Sequence, residues 1–269
     1  EKSARKPLPR SVNLIGFRED PELEELRGLL EKADVEVRGV LLPELTLARV
    51  DRLPEASRNV FLPNQLWQHL YDQLLFDSRT PHLSPPAPYG FEGTLRWLEE
   101  VVGAFGWTAK RRRAVEEAAS GWRVRFEELK GEASERRLGF VVRGDETYNL
   151  TRPASTAGIP LVAMLEEMGF ALDVFLQVRY RESARKAVED VHAVFARPER
   201  HRLQAFDSPE GMAGRLGDSK ADAFFTSHFF DWRVTAAGKN LFSLQHFEMG
   251  LRGAVRTAER LLGICRTPF

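Results

Sequence analysis

The sequence predicts a protein of the α/β class, with two tandem domains whose mainly parallel sheets face each other across a cleft. Three observations predict it. Short apolar runs alternate with amphipathic stretches of helical period in both halves of the chain, the pattern of parallel strands covered by helices on both faces. A loop-to-helix unit occurs twice: Phe91-Glu92-Gly93-Thr94-Leu95-Arg96 is echoed by Phe247-Glu248-Met249-Gly250-Leu251-Arg252, each opening an amphipathic helix. Finally, Leu26–Leu42 lines up without gaps on Leu161–Gln177, both reading as helix, short turn and strand. Repeats this far apart are duplicated domains rather than a short-period solenoid, and each copy reads as Rossmann-like.

Residues 1–10 are charged and proline-containing and read as a linker or tail. Ser11–Phe17 is an apolar run that reads as a buried strand, its Gly16 turn opening towards a site. Pro21–Ala33 is a helix with Leu23, Leu26, Leu30 and Ala33 inward, followed by a strand at Val35–Leu41. Leu45–Ala56 reads as helical, Asn59–Leu62 as a strand, Gln65–Leu75 as a helix, and Pro81–Pro88 as a last strand or extended loop. The next helix carries Phe91, Leu95, Leu98, Val102 and Phe105 on one apolar face, and residues 11–108 make the first domain. Lys110–Glu128 is a charged helix and Lys130–Arg137 a polar, flexible stretch, so residues 109–137 connect the domains.

The second domain, residues 138–269, begins with a strand at Leu138–Val142 and a polar loop at Gly144–Pro153. A helix at Thr156–Met168, a strand at Leu172–Val178 and a helix at Ser183–Phe195 follow. His201–Phe206 is a short strand, Pro209–Leu216 a helix, and Ala221–Thr226 and Leu241–Leu244 are strands before the final helix.

At 269 residues and 43% hydrophobic content, the chain can pack a core in each domain. Lys plus Arg and Asp plus Glu both total 39, so no net field draws it to nucleic acid or an anionic membrane. The run Lys110-Arg111-Arg112-Arg113 reads as a solvated helix face, with a phosphate or partner patch as the alternative. One cysteine, Cys265, permits neither a disulfide framework nor a four-cysteine metal site from this chain, and it points to a reducing compartment. With no signal peptide and no apolar run of about twenty residues, a cytoplasmic protein without a membrane span is expected. Because it starts at Glu1, the chain reads as part of a longer or processed polypeptide with an upstream portion missing.

Ligands of open parallel sheets sit beyond the carboxyl ends of the strands. The residues placed there are Gly16, Arg18 and Glu19; Pro63 and Asn64; Pro88, Tyr89, Gly90 and Glu92; and Arg143, Asp145, Asn149, Arg152, His228, Asp231, Arg233, His246 and Glu248. Glu92 and Glu248 are expected in the first turn of their helices, where the dipole favours a carboxylate or an anionic ligand. The alternative is that Glu92 caps its helix and Phe91 staples it. The chain has no G-x-G-x-x-G after its first strand, no Walker loop, no H-E-x-x-H and no nucleophile elbow, which counts against dinucleotide, nucleotide triphosphate and acyl-transfer chemistry. His228, Asp231 and His246 lack metal-ligand spacing; either histidine is a candidate general acid, or simply a hydrogen-bonding residue.

With these residues placed, the sequence resembles the component 1 family of nitrogenases and their nitrogenase-like relatives. The matching features are Ser11–Gly16, the helix and strand of Leu26–Leu42, Arg58-Asn59-Val60, and Pro86-Ala87-Pro88-Tyr89-Gly90-Phe91-Glu92-Gly93-Thr94 leading into Trp97-Leu98. That last stretch is most similar to the catalytic subunits of light-independent protochlorophyllide reductase and chlorophyllide reductase. The likeness covers nearly the whole chain, firmly over Ser11–Gly106 and more weakly from Leu138 onward.

The resemblance implies three stacked Rossmann-like domains, of which this chain supplies the second and third. It implies an iron–sulfur cluster held by cysteines of the first domain, a homologous component 1 subunit, an ATP-dependent iron protein as electron donor, and a reducible ligand between domains. The chain departs from the family in two places. It has no cluster cysteines, so no cofactor is expected on this chain alone. It also reads Val60-Phe61-Leu62-Pro63-Asn64 where nitrogenase catalytic subunits place a cofactor-binding cysteine. The implied ligand is therefore an organic macrocycle, a tetrapyrrole, with Pro88 and Tyr89 offering flat surface and Arg18 or Arg143 pairing with a propionate. On this reading Tyr89 carries little core packing. Two other readings stand beside it: a non-catalytic scaffold or cofactor-assembly module, and a two-domain glycosyltransferase using Glu92 and Glu100.

Overall fold

The structure is a computed structural model describing residues 6–18, 21–77, 80–178, 181–227 and 232–268. The chain forms two compact units: Glu1–Val124 with Met249–Gly253, and Arg125–Glu248 with Ala254–Phe269. Each is an α/β unit with its own parallel sheet.

The first sheet has four strands, β1 (Leu8–Ile15), β2 (Glu36–Leu41), β3 (Ala56–Phe61) and β4 (His82–Leu83), in the order β2-β1-β3-β4. The second half of β1 is buried at every position, as a strand covered on both faces requires. Besides Ser11, Asn13 is the polar residue in that run. Its Nδ2 donates to Leu53 O at 2.9 Å and to Asn59 Oδ1 at 2.8 Å, and Asn59 is its register partner on β3. A buried amide is tolerated because its Nδ2 is paired both within the sheet, at Asn59, and with the turn that precedes β3, at Leu53.

The helices of this unit are α1 (Pro21–Lys32), α2 (Leu47–Asp51), α3 (Gln68–Asp77), α4 (Phe91–Gly103) and the start of α5 (Ala109–Ala133). Pro54 sits in a separate 3-10 turn, Leu53–Glu55, so the helix expected over Leu45–Ala56 is much shorter. The apolar face of α4 is turned by its tryptophan: Phe91, Trp97, Leu98, Val101 and Val102 are buried, whereas Leu95 and Phe105 are half-buried. The flexible stretch expected after Lys130 is absent, because α5 runs on as a single 25-residue helix to Ala133.

The second sheet has five strands, β5 (Arg137–Arg143), β6 (Ala171–Gln177), β7 (Arg202–Phe206), β8 (Ala223–Thr226) and β9 (Asn240–Leu241), in the order β7-β6-β5-β8-β9. Its helices are α6 (Tyr148–Thr151), α7 (Leu161–Glu167), α8 (Arg181–His192), α9 (Pro209–Asp218), α10 (Trp232–Ala236) and α11 (Gly250–Arg266). α7 starts later than expected because Ala157 and Gly158 take positive φ, 54° and 92°, and end a 3-10 turn. Val141, Phe175, Phe206, Met212, Leu216, Phe224 and Val234 form one core cluster. Asp173, buried in β6, takes Arg137 at 2.7 Å and the Ser219 hydroxyl at 2.6 Å. No helix among the described residues is long and apolar enough to cross a membrane.

Candidate functional site

In the first unit the carboxyl end of β1 is closed rather than open. Gly16 has φ 90°, and a Cβ built there would overlap the Tyr71 hydroxyl, which itself donates to Leu62 O at 2.9 Å. Burial pushes the Tyr71 phenol above its ordinary pKa, so it stays a neutral donor. The expected Gly16 opening is thus roofed by a side chain that β3 and α3 hold in place. Phe17 is fully buried against Trp97, with ring centroids 6.0 Å apart, and Arg18 is the exposed residue that follows. Asn64 is buried as well, its Oδ1 accepting the Leu66 N–H at 3.0 Å to cap the 3-10 turn Gln65–Trp67.

Pro88, Tyr89 and Gly90 are buried in a loop that the backbone locks from both sides. Tyr89 forms an antiparallel bridge with Met249, and the Gly250 N–H donates to Pro88 O at 2.9 Å. The Thr94 hydroxyl is shared between Gly90 O at 2.6 Å and Pro88 O at 3.0 Å. Tyr89 is only 8% exposed, so the flat surface expected of Pro88 and Tyr89 is turned into the fold. Glu92 lies in the first turn of α4, exposed and paired with Arg123 at 3.5 Å, while the Arg123 guanidinium covers the Phe91 ring at 4.9 Å.

The start of α11 repeats the start of α4 in a register the apolar pattern did not suggest. Tyr89-Gly90-Phe91 corresponds to Met249-Gly250-Leu251: a bridged residue, then a glycine at positive φ (78° and 91°) that immediately precedes α4 in one copy and is the first residue of α11 in the other. Glycine is required at both turns because a side chain disfavours that backbone region. Glu248 therefore precedes α11 instead of sitting in its first turn. It is buried, its N–H donating to Thr257 Oγ1 at 2.9 Å and its carboxylate pairing with Arg256 at 3.5 Å and with Arg260. The carboxylates at the helix start come from α1: Glu22 accepts the Met249 N–H at 2.6 Å and Glu25 the Arg252 N–H at 2.8 Å.

In the second unit Arg143 and Asp145 close on each other, Nε and Nη2 donating to the two carboxylate oxygens at 3.0 and 2.6 Å. His246 is half-buried and accepts the Ser243 N–H at Nδ1, 3.0 Å, as one arm of a reciprocal cap. Glu19, His228 and Asp231 lie outside the described residues. Asn149 and Arg233 are half-buried and Arg152 exposed. The residues missed at the strand ends are apolar and solvent-facing: Leu45, Leu47 and Leu66 in the first unit, Tyr148 and Trp232 in the second. For Leu66 and Tyr148 the signal in the sequence is a large apolar residue in a short polar segment after a strand; Trp232, which follows Phe229 and Phe230, carries no such mark.

The chain matches the family model for nitrogenase component 1 type oxidoreductases over residues 2–265. It belongs to that family. Two solved structures of a nitrogenase, Cp1, at pH 5 and at pH 6.5, share its fold with a TM-score of 0.67 at 16% and 15% identity. They cover 99% of this chain, which spans only 58% and 60% of theirs. A possible iron-binding, periplasmic solute-binding protein from Staphylococcus epidermidis is similar at a TM-score of 0.50 and 9% identity, over 94% of this chain and 95% of its own. At these identities the likeness concerns the fold alone. No curated protein matches the chain.

The donor set of this component 1-type chain does not fit the iron–sulfur cluster associated with its family. Its one cysteine, Cys265, is buried, and burial, reinforced by Asp222, pushes the thiol up to about 12, away from the thiolate that iron requires. Among the described residues no group of three or more His, Cys, Asp or Glu side chains is placed to hold a metal ion.

Proposed function

We propose that this chain is the ligand-handling part of a subunit of a nitrogenase-like reductase, acting in the cytoplasm on a tetrapyrrole such as a chlorophyll precursor. It works beside a homologous component 1 subunit and receives electrons from an ATP-dependent iron protein, with any iron–sulfur cluster held by residues outside this chain. The observation that carries the ligand class is the surface at the carboxyl ends of β2 and β3. There Leu47 and Leu66 are 86% and 87% exposed, while the Val60–Asn64 segment offers no ligating atom: Phe61 and Leu62 are buried and the Asn64 oxygen caps a turn. Such a surface suits a ligand held by shape and apolar contact. Arg18, exposed after β1, is the better partner for a propionate, because Arg143 is engaged by Asp145.

The test is reconstitution under anaerobic conditions with the homologous subunit, the iron protein, ATP and a chlorophyll precursor. Reduced tetrapyrrole whose formation depends on this chain supports the reading. A stable assembly that never turns over supports the second reading, a scaffold or cofactor-assembly module, which the single buried cysteine favours.

A further inference from the structure

We infer that Tyr148 and Trp232 are ligand-stacking residues, an aromatic binding surface of the second unit taken by itself. The inference rests on the tetrapyrrole reading above for the class of ligand. Among the described residues of that unit, Tyr148 at 42% and Trp232 at 72% are the exposed large apolar side chains. Both stand just beyond the carboxyl ends of neighbouring strands. Tyr148 opens α6 after β5, Trp232 opens α10 after β8, and β5 and β8 pair in parallel with Val141 opposite Thr226. That edge of a parallel sheet is where its ligands bind.

Each ring is held outward by a buried neighbour on its own short helix. In α6, Leu150 is 4% exposed and anchors the turn that carries Tyr148. In α10, Val234 is fully buried in the core cluster, and the Thr235 hydroxyl donates to Trp232 O at 2.9 Å. The outward rings are therefore set by packing beneath them. A phenol and an indole offer rigid flat area with a polar edge, which suits the face of a conjugated macrocycle that carries acid groups at its rim.

The experiment titrates the 269-residue chain with protochlorophyllide and, as a second flat tetrapyrrole bearing propionate, with protoporphyrin IX, following ligand absorbance and tryptophan fluorescence. Wild-type protein is expected to bind and to lose tryptophan emission. Tyr148→Ser and Trp232→Ser should each weaken binding about tenfold, and Trp232→Ser should also lose most of the quenching. Urea midpoints should stay unchanged, and Tyr148→Phe and Trp232→Phe, which keep a ring, should retain most of the affinity. Val124→Ser, a change at a residue 71% exposed in the first unit, should bind as wild type. Unchanged affinity in both serine variants, or equal losses in the serine and phenylalanine variants, overturns the stacking role and leaves the tetrapyrrole reading in place. Absence of binding by wild-type protein to either ligand overturns both.

Discussion

The carboxylate of Glu25 is seated on Gly250. A Cβ built at Gly250 would lie 2.9 Å from Glu25 Cδ and overlap Oε2, while the Arg252 N–H donates to Oε1 of the same carboxylate at 2.8 Å. One acid of α1 thus caps the last helix, and only a glycine at φ 91° leaves room for it. Gly250→Ala combines backbone strain with this overlap and is expected to cost about 2–3 kcal/mol in urea unfolding.

Burial raises the Glu25 pKa, with the N–H groups of the helix start opposing it. A carboxyl whose folded pKa lies above its unfolded value stabilises the fold fully below the ordinary carboxylate range and loses that contribution as pH rises through the raised value. Glu25→Gln keeps an acceptor without the charge. Its stability relative to wild type should therefore improve from pH 4 to pH 7, and an advantage that shrinks over that interval would contradict the assignment.

Glu166 has the opposite sign. Burial pushes its carboxyl up, but the N–H groups of Ala196 and Arg197, at 3.0 and 2.9 Å, and His201 Nε2 at 2.7 Å outweigh it and hold the pKa below its ordinary value. The Leu172 N–H donates to His201 Nδ1 at 3.0 Å, which leaves the ring proton on Nε2, facing Glu166. The stabilisation is present above the ordinary carboxylate range and is lost as pH falls through the lowered value. Glu166→Ala should cost about 3 kcal/mol at pH 7, and the gap between variant and wild type should narrow as unfolding is repeated towards pH 3.

Tyr89→Ala tests the buried loop. With its ring packed inside and its backbone bridged to Met249, Tyr89 should behave as a core residue, losing about 3 kcal/mol on truncation. A variant of wild-type stability would return Tyr89 to the solvent-facing role that its place in a strand-end loop suggested.

Arg111 tests the basic run. It is 5% exposed and donates to Ala33 O at 3.2 Å, Phe105 O at 2.9 Å and Gly106 O at 2.6 Å, tying α5 to the ends of α1 and α4. Arg111→Ala should cost about 2–3 kcal/mol by removing a buried side chain and leaving the buried Ala33 carbonyl without its donor, whereas Arg113→Ala, at an exposed position, should fall within about 0.5 kcal/mol of wild type. Equal effects would mean that the clamp is not formed.

The sheets were legible because period and burial agree: the apolar runs of β1 and β6 are covered on both faces, and little else can bury them. What escaped depends on contacts between segments far apart in sequence. The echo of Phe91 in Phe247 kept the apolar face but misplaced the helix start by about one turn, a shift that helical periodicity cannot detect. Only the positive φ of Gly90 and Gly250 marks the true correspondence. Arg111 looks like its neighbours until α5 is docked, and Gly16 looks open until Tyr71 is placed over it. The candidate site suffered most: Asn64, Tyr89, Arg143 and His246 are polar or aromatic at strand ends, yet caps, bridges and ion pairs within the fold occupy them. Whether a strand-end side chain is free depends on its tertiary partners, which composition does not record.

The central claim is that this component 1-type chain binds a tetrapyrrole through apolar contact. Its most direct test is an anaerobic equilibrium titration of the purified chain with protochlorophyllide, comparing wild type with Leu47→Ser and Leu66→Ser, both at exposed positions whose replacement should leave the urea midpoint unchanged. The account predicts saturable binding with a shifted absorbance band, weakened about three- to tenfold by each substitution through loss of apolar contact. Wild-type protein that leaves the ligand spectrum unchanged at every concentration, or binding that neither substitution alters, would contradict it.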